Sequence, residues 1–166
     1  MTLCYCRQMN TFGQFYEINK KKVFAYLMRL SGDYHLSGDI LQECFTRYLE
    51  KYGPSEPRLP LVFRIARNIY FDHLRVNERN TTLTEEPVAR TGGQEHQVII
   101  KEHFQQVMTA MQQLNARERD LLALVAGSGL PYAEIAFITG YSEANVKVSI
   151  HRARKHLLNI VKERRL

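Results

Sequence analysis

Residues 131–154 have the sequence PYAEIAFITGYSEANVKVSIHRAR, and this stretch decides the fold class. Pro131 suits the first turn of a helix, where a missing backbone N–H costs little. Gly140 lies where a helix commonly ends in a left-handed residue, and Ser142 can cap a following helix by accepting a backbone N–H. The pattern therefore predicts two helices joined by a tight turn.

The second of these helices is predicted to have one apolar face and a basic remainder. Spacings of four, three and four place four apolar residues on one face: Val146, Ile150, Ala153 and Leu157. Cationic and imidazole side chains cover much of the rest: Lys147, His151, Arg152, Arg154 and Lys155. From Val146 onward Glu163 is the only acidic residue, whereas a merely solvated surface usually mixes both signs. This predicts a helix-turn-helix, whose second helix enters the DNA major groove.

The composition favours a polyanionic partner. The chain has 166 residues, a formal net charge of +6 and a pI near 9.3, and phosphate is the commonest partner of such a surface. No apolar run approaches the roughly 20 residues needed to span a bilayer. Residues 1–8 lack the charged-then-apolar order of a secretory signal. We therefore predict a cytoplasmic protein without membrane insertion.

The three cysteines, Cys4, Cys6 and Cys44, indicate neither a disulfide framework nor a zinc site. An odd number of cysteines in a cytosolic chain argues against a disulfide framework. No further Cys or His cluster has the spacing that would complete a zinc site. Cys4 and Cys6 form a Cys-x-Cys pair that could sense metal or redox state, although two incidental thiols are the better interpretation. Cys44 lies among apolar helical positions and is predicted to be buried. No metal site or cofactor is predicted.

Helical periodicity extends over most of the remaining chain, and two segments interrupt it. Three prolines in residues 53–60 exclude a helix there, and residues 80–93 have the Thr-, Glu- and Gly-rich composition of a linker. Further helices are predicted at 12–30 (with Phe15, Ile18 and Val23 apolar), 36–52, 61–77, 94–114 and 116–126. The predicted fold is all-α, with one helical domain at 1–80, a flexible linker at 81–95 and a helix-turn-helix domain at 96–166. A linker of this length would let the two domains move independently.

Basic and aromatic residues are interleaved around the third predicted helix: Arg64, Arg67, Arg75 and Arg79 with Tyr52, Phe63, Tyr70 and Phe71. This suits single-stranded nucleic acid, because the charges follow phosphates and the rings stack on unpaired bases. The competing interpretation is that Phe63 and Phe71 belong to the core, and we expect this of at least one of them. Tyr52 precedes the Pro-rich loop, where the loop and Asn68 could complete a pocket for an unstacked base.

Several motifs resemble conserved regions of bacterial sigma factors. DILQECF at 39–45, FRIARN at 63–68 and DHLR at 72–75 resemble the second region. LPYAEIA at 130–136, GYS at 140–142, VK at 146–147 and HRAR at 151–154 resemble the fourth. With these two modules alone, in this order, the chain resembles the extracytoplasmic-function group. The family is not enzymatic, because the polymerase performs the chemistry.

The resemblance implies three sites and their partners. One helix would bind the β′ clamp helices of core RNA polymerase through Asp39, Leu41, Gln42, Glu43 and Phe45. The melted −10 strand of promoter DNA would meet Tyr52, Arg64, Asn68, Arg75 and Arg79. The −35 duplex would meet Ser142, Asn145, Lys147, Ser149, His151, Arg152, Arg154 and Lys155, in a domain that also touches the β flap. An anti-sigma factor that occludes both domains is a further implied partner.

The chain departs from the family pattern at five positions. Gly38 stands where a second acidic residue is common, which could weaken the polymerase contact. Leu61 replaces a common Trp, and Asn115 replaces a common Pro but can still cap the next helix. Asn145 replaces a usual Thr and Ser149 a usual Arg, and losing that Arg removes a phosphate or guanine contact. Recognition of a different promoter sequence is a milder inference from this change than loss of DNA binding.

Three alternatives remain open on sequence grounds. An ordinary helix-turn-helix regulator would bind DNA without the polymerase, with a dimer and a palindromic site. A sigma-like protein could bind the polymerase but initiate poorly, and Gly38 is the reason to consider it. An enzyme could use Asp39, Glu43 and His35, but no third ligand, phosphate loop or nucleophile motif accompanies them.

Overall fold

The computed structural model describes the backbone of residues 2–80 and 98–163, and the side chains of residues 11–77 and 105–163. The predicted linker and the side chains of Cys4, Cys6 and Arg79 therefore lie outside the described residues. The described chain forms helices and no strands, which confirms the all-α prediction. The helices are α1 Thr2–Ser31, α2 Tyr34–Tyr52, α3 Leu59–Asn80, α4 Val98–Gln113, α5 Ala116–Gly127, α6 Tyr132–Thr139 and α7 Glu143–Glu163.

Most described helix boundaries lie within three residues of the sequence prediction, and two of the helix starts need an explanation. Helix α1 begins at Thr2, ten residues before the predicted start at 12. Helix α3 begins at Leu59 and includes Pro60. The prediction that residues 53–60 contain no helix was therefore wrong for the last two of them. Pro60 lies in the first turn of α3, where its missing N–H breaks no intrahelical hydrogen bond.

Helices α1, α2 and α3 form an N-terminal module (residues 2–80) around an aromatic core. Tyr26, Tyr48 and Phe63 are among its largest fully buried side chains. Cys44 is also fully buried, as predicted, and burial raises the pKa of its thiol to about 12. Ile18 is 68% exposed, because it lies five residues before Val23 and so on the opposite side of α1.

Helices α4 to α7 form a C-terminal module (residues 98–163) that contains the predicted helix-turn-helix. Gly140 ends α6 in the left-handed conformation with a φ of 77°, and its N–H donates to the carbonyl of Ala136 at 2.8 Å. The hydroxyl of Ser142 accepts the N–H of Asn145 at 3.3 Å and caps α7 as predicted. Val146 and Ile150 are buried on the inner face of α7. The local signals therefore specify this hairpin correctly.

Two glycine-to-alanine substitutions are expected to have opposite effects on stability. Gly140→Ala should lower the free energy of unfolding by about 1–2 kcal/mol, because a Cβ is strained in the left-handed conformation. Gly38→Ala is the matched control inside α2, where an added Cβ meets no atom within 4 Å. Because alanine has a higher helix propensity than glycine, Gly38→Ala should raise the free energy of unfolding by roughly 0.5–1 kcal/mol. Urea denaturation followed by circular dichroism measures both, and changes of the same sign would contradict this account.

The two modules pack directly against each other. Helix α1 contacts α4 and α5, and α3 contacts α6. A buried carboxylate lies in this interface: Asp120 of α5 accepts the hydroxyl of Tyr26 at 2.9 Å and the Nε–H of Arg67 at 2.6 Å. Desolvation raises the pKa of Asp120, and the charge and hydrogen bond of Arg67 oppose this increase. The sequence analysis predicted domains that move independently, and it did not predict a buried contact between them.

Candidate nucleic-acid interface

Helix α2 presents an acidic and amide-bearing face to solvent. Asp39, Gln42 and Glu43 are exposed, and Glu43 pairs with Arg47 one turn later at 2.5 Å. Leu41 is half-buried beside them. Phe45 is only 4% exposed and packs edge-on against Tyr16 at 4.8 Å between ring centroids.

Because Phe45 lies in the core, almost none of its side chain is available to a protein partner. It can only support the exposed α2 face from beneath. The structure therefore places Phe45 on the buried side of α2, and not on the exposed face where a direct polymerase contact would lie.

Helix α3 carries an exposed stripe formed by Arg64, Asn68 and Arg75. We call it the strand face, after the single DNA strand that the sequence analysis expects it to bind. Spacings of four and seven residues place these three side chains on one side of the helix. Arg75 pairs with Asp72 at 2.9 Å. The guanidinium of Arg64 lies over the ring of Phe137 in α6, 5.0 Å from its centroid. One member of the strand face is therefore in contact with the C-terminal module.

Tyr52 lies at the C-terminal end of α2 with 43% of its surface exposed. Its ring is tilted against that of Tyr48, with centroids 5.2 Å apart. The hydroxyl of Tyr48 accepts the N–H of Arg58 at 2.9 Å, which ties the Pro-rich loop to α2. The loop beside Tyr52 therefore has a fixed anchor, as a base-binding pocket would need.

The remaining aromatic residues of α3 do not form an exposed stacking surface. Phe63 is fully buried and lies edge-on to Tyr26, which confirms the expectation that at least one of these rings belongs to the core. Phe71 is half-buried beneath the guanidinium of Arg67, which lies 4.8 Å from its centroid.

Helix α7 presents an exposed basic surface that we call the recognition face: Lys147, His151, Arg152, Arg154 and Lys155. Lys147 pairs with Glu143 one turn earlier at 2.9 Å, and the hydrogen bond with Glu143 raises the pKa of Lys147. The other four lie on the solvent side of a helix whose inner side is buried. Ser142 is exposed, but its hydroxyl is already engaged as the cap of α7.

The structure adds Arg117, a residue that the sequence analysis did not select. From the first turn of α5, its Nη2 donates to Oδ1 of Asn145 at 2.9 Å and lies 3.5 Å from Oγ of Ser149. The same guanidinium lies over the ring of Tyr141 at 4.2 Å. A shallow pocket beside it is lined by Asn115, Arg117, Glu118, Leu121, Ser149 and Arg152. No sequence signal could have found this contact, because it joins two helices 28 residues apart.

Val148 is a second residue that the sequence analysis missed. It is 49% exposed among the cations of α7, although an apolar side chain is normally expected on the inner face. An exposed methyl group at this place on a recognition helix can contact the C5-methyl of thymine in the major groove.

Two kinds of feature are missing from the described residues. No group of three His, Cys, Asp or Glu side chains there is placed to hold a metal ion. Within the same ranges, none of the helices combines the length and apolarity that crossing a membrane requires.

The fold and the two polar surfaces define a two-module, all-helical DNA-binding protein with a C-terminal helix-turn-helix. Residues 15–80 match Sigma-70 region 2, and residues 104–157 match Sigma-70, region 4. The chain is 31% identical over 156 residues to the ECF RNA polymerase sigma factor SigM of Bacillus subtilis, covering 89% of this chain and 93% of that one. The chain therefore belongs to the extracytoplasmic-function group of the sigma-70 family of sigma factors.

Other relatives and solved structures agree. The chain is 28% identical to the ECF RNA polymerase sigma factor EcfG of Rhodopseudomonas palustris, over 80% of this chain and 75% of that one. The sigma factor RpoE in complex with the anti-sigma factor NepR from Bartonella quintana has a TM-score of 0.76 at 23% identity, over 91% and 96% of the chains. CnrH in complex with the cytosolic domain of CnrY has a TM-score of 0.68 at 21% identity, over 92% and 88%. Both structures share the fold of this chain.

Proposed function

We propose that the two modules of this sigma factor divide promoter recognition between single-stranded and duplex DNA. As an alternative sigma factor the chain directs promoter-specific transcription initiation by RNA polymerase. The observation that carries the division is the placement of two chemically different polar surfaces on separate modules. The strand face combines cations with an amide, and the same module exposes Tyr52 at the end of α2, whereas the recognition face is a basic stripe on the second helix of a helix-turn-helix.

The −35 duplex is assigned to the recognition face together with Asn145, Ser149 and Ser142. Cations such as Arg152 and Lys155 neutralise phosphates and make binding strongly dependent on salt concentration. Asn145 lies in the first turn of α7, and the N-terminal residues of a recognition helix are the ones that contact base edges.

The melted −10 strand is assigned to the strand face, Tyr52 and Arg79. Arg64 and Arg75 would follow the phosphates, and Asn68 would hydrogen-bond an unpaired base. Tyr52 offers an exposed ring beside an anchored loop, on which such a base can stack. Capture of an extruded base offsets the few kcal/mol that unpairing requires.

Core RNA polymerase is assigned to the exposed α2 face. Asp39, Gln42, Glu43 and the half-buried Leu41 would contact the β′ clamp helices, with Phe45 supporting them from the core. The C-terminal module would also touch the β flap. Gly38 leaves the face with one fewer carboxylate than the family pattern, so a weaker polymerase contact is expected.

An anti-sigma factor is the proposed regulatory partner. The two solved structures that share this fold are of a sigma factor with NepR and of CnrH with CnrY, and the first names its partner as an anti-sigma factor. A subunit of the transcription machinery works in the cytoplasm. It makes and breaks no covalent bonds itself and needs no cofactor.

Arg117 is proposed to supply the guanidinium that the family carries at position 149. Arg117→Ala should weaken −35 duplex binding by about 10-fold, as expected for one lost charged contact of roughly 1–3 kcal/mol. The double variant Arg117→Ala/Ser149→Arg should recover most of that affinity, because it restores a guanidinium to the same surface. Fluorescence anisotropy with a labelled duplex measures both. A double variant as weak as the single one would contradict this role.

The division of labour is tested with holoenzyme and two DNA probes. One probe is a single-stranded −10 oligonucleotide, and the other is a −35 duplex. Asn68→Ala should weaken binding of the −10 oligonucleotide and leave binding of the −35 duplex unchanged. Arg152→Ala should weaken binding of the duplex and leave binding of the oligonucleotide unchanged. Equal effects of both variants on both probes would mean that the modules do not divide recognition in this way.

A further inference from the structure

Asn145, in the first turn of α7, has both its backbone and its side chain held in place. Its backbone N–H donates to Oγ of Ser142 at 3.3 Å. Its side-chain oxygen Oδ1 accepts two hydrogen bonds, from Nη2 of Arg117 at 2.9 Å and from Oγ of Ser149 at 3.0 Å. An amide oxygen has two lone pairs, so both acceptor sites of Oδ1 are filled within the protein. The amide is therefore oriented before any DNA binds.

The guanidinium of Arg117 determines which end of the Asn145 amide faces the protein. Arginine has only donors, so Nδ2 in the place of Oδ1 would set one donor against another. Oδ1 therefore faces Arg117, and Nδ2 is the other end of the amide. None of the hydrogen bonds within residues 11–77 and 105–163 uses Nδ2 of Asn145. Because Asn145 is exposed, its two side-chain N–H groups are the part of the amide that a ligand can reach.

Arg117 is itself fixed by its surroundings. Its guanidinium lies over the ring of Tyr141, 4.2 Å from the centroid, and its Nη2 lies 3.5 Å from Oγ of Ser149. A cation in the first turn of a helix is disfavoured by the helix dipole, so these contacts offset an unfavourable position in α5. We call Arg117, Ser149 and Asn145 the amide network. Its first two members hold the third in one orientation.

The orientation of the amide determines which base edge it can read. A free asparagine side chain suits adenine, because it accepts from N6 through its oxygen and donates to N7 through its nitrogen. In the amide network the oxygen is occupied, so Asn145 offers donors alone. Guanine presents two acceptors in the major groove, N7 and O6, whereas adenine presents the N6 amino donor beside N7. A donor-only amide therefore favours guanine over adenine.

We propose that Asn145 reads a guanine of the −35 element through Nδ2, and that Arg117 and Ser149 are positioning residues that set this preference by holding Oδ1. The inference rests on the proposed function, in which α7 binds the −35 duplex. Asn145 and Ser149 both depart from the family pattern, so the family resemblance does not imply this contact. The other N–H groups of Arg117 remain available for its own contact with DNA.

Base preference in the −35 duplex tests the contact. Holoenzyme is titrated with labelled duplexes from a promoter found by chain-dependent transcription, in which every −35 position carries each possible base pair in turn. Asn145→Ala should lose discrimination at one position. There the wild type should bind the guanine probe about 10-fold more tightly than the adenine probe. A wild-type preference for adenine at that position, or no position affected by Asn145→Ala, would overturn the proposal.

Arg117→Ala/Ser149→Ala tests the positioning role. The double variant frees Oδ1, so the amide can turn to adenine, and the guanine-to-adenine affinity ratio should fall from about 10 to about 1 or below. This ratio is independent of the general loss of affinity that Arg117→Ala causes. Ser149→Thr keeps the hydroxyl group and should keep the wild-type ratio. An unchanged ratio in the double variant would refute the positioning role.

Asn145→Asp tests the orientation of the amide directly. The carboxylate has nearly the same shape and can still accept from Arg117 and Ser149, but it presents an acceptor where Nδ2 lay. Adenine N6 is a donor and guanine O6 is not, so the guanine-to-adenine ratio should invert. A ratio equal to that of the wild type would mean that Nδ2 does not face the base. Lys155→Ala is the control, because loss of a phosphate contact should weaken all probes equally and leave the ratio unchanged.

Arg152→Ala separates failure of this inference from failure of the proposed function. If it weakens the −35 duplex while the Asn145 variants leave every base preference unchanged, the amide contact is wrong and the assignment of the duplex to α7 stands. If Arg152→Ala and the Asn145 variants all bind the duplex as the wild type does, both the assignment and the inference are wrong.

Discussion

Phe63→Ala is expected to lower the free energy of unfolding by about 3–5 kcal/mol, the usual range for removing a buried phenyl ring. Phe63 is fully buried between α3 and α1, where its ring meets that of Tyr26 at 5.4 Å between centroids. The substitution removes this contact and leaves a cavity that the surrounding helices fill only partly. Equilibrium urea denaturation, followed by circular dichroism, measures the loss.

Val76→Ala is the matched control for the core prediction. Val76 lies on the same helix and is 53% exposed, so its truncation should change stability by less than about 0.5 kcal/mol. If Phe63→Ala were equally mild, Phe63 would be at the surface, and base stacking, the alternative to a core position for this ring, would regain support.

Removal of the strand face is expected to have the largest effect on activity. In holoenzyme, Arg64→Ala/Asn68→Ala should lower transcription from a duplex promoter by roughly 100-fold, because contacts to unpaired bases and their phosphates contribute about 1–3 kcal/mol each. Run-off transcription measures this loss, and a −35 duplex probe should bind as before. Holoenzyme is the appropriate form, since transcription requires the polymerase.

Lys22→Ala serves as the control for lost positive charge. Lys22 is an exposed cation on α1, a different helix from the one that carries the strand face. A comparable loss of transcription in this variant would mean that net charge, and not the strand face, governs the activity. Normal transcription by Arg64→Ala/Asn68→Ala would remove α3 from the proposed −10 site.

The local elements were predictable from the sequence because their signals are local. Gly140, Ser142 and the spacing of the buried residues Val146 and Ile150 each act within a few residues, and the structure agrees with all of them. The early start of α1 was missed because its first residues show no strong cap or apolar period. Pro60 was misjudged because a proline that breaks a helix interior is tolerated in its first turn.

The contacts between elements could not be predicted in this way. Tyr26 and Asp120 are 94 residues apart, and the sequence around Asp120 shows only a short apolar helix. Arg117 of α5 donates a hydrogen bond to Asn145 of α7, so its place beside the recognition face depends on how α5 packs against α7. The predicted site residues nevertheless lie on two exposed surfaces, apart from Phe45 in the core and Arg79, whose side chain lies outside the described residues.

Run-off transcription tests the central claim most directly. The purified chain is combined with bacterial core RNA polymerase on genomic fragments, including the region upstream of its own coding sequence. We predict discrete transcripts that require the chain, whose start sites define a −10 and a −35 element at a fixed separation. Specific duplex binding without any chain-dependent transcript would contradict the claim and favour a regulator or a sigma-like protein that cannot initiate. In that case Gly38→Glu is the first variant to assay.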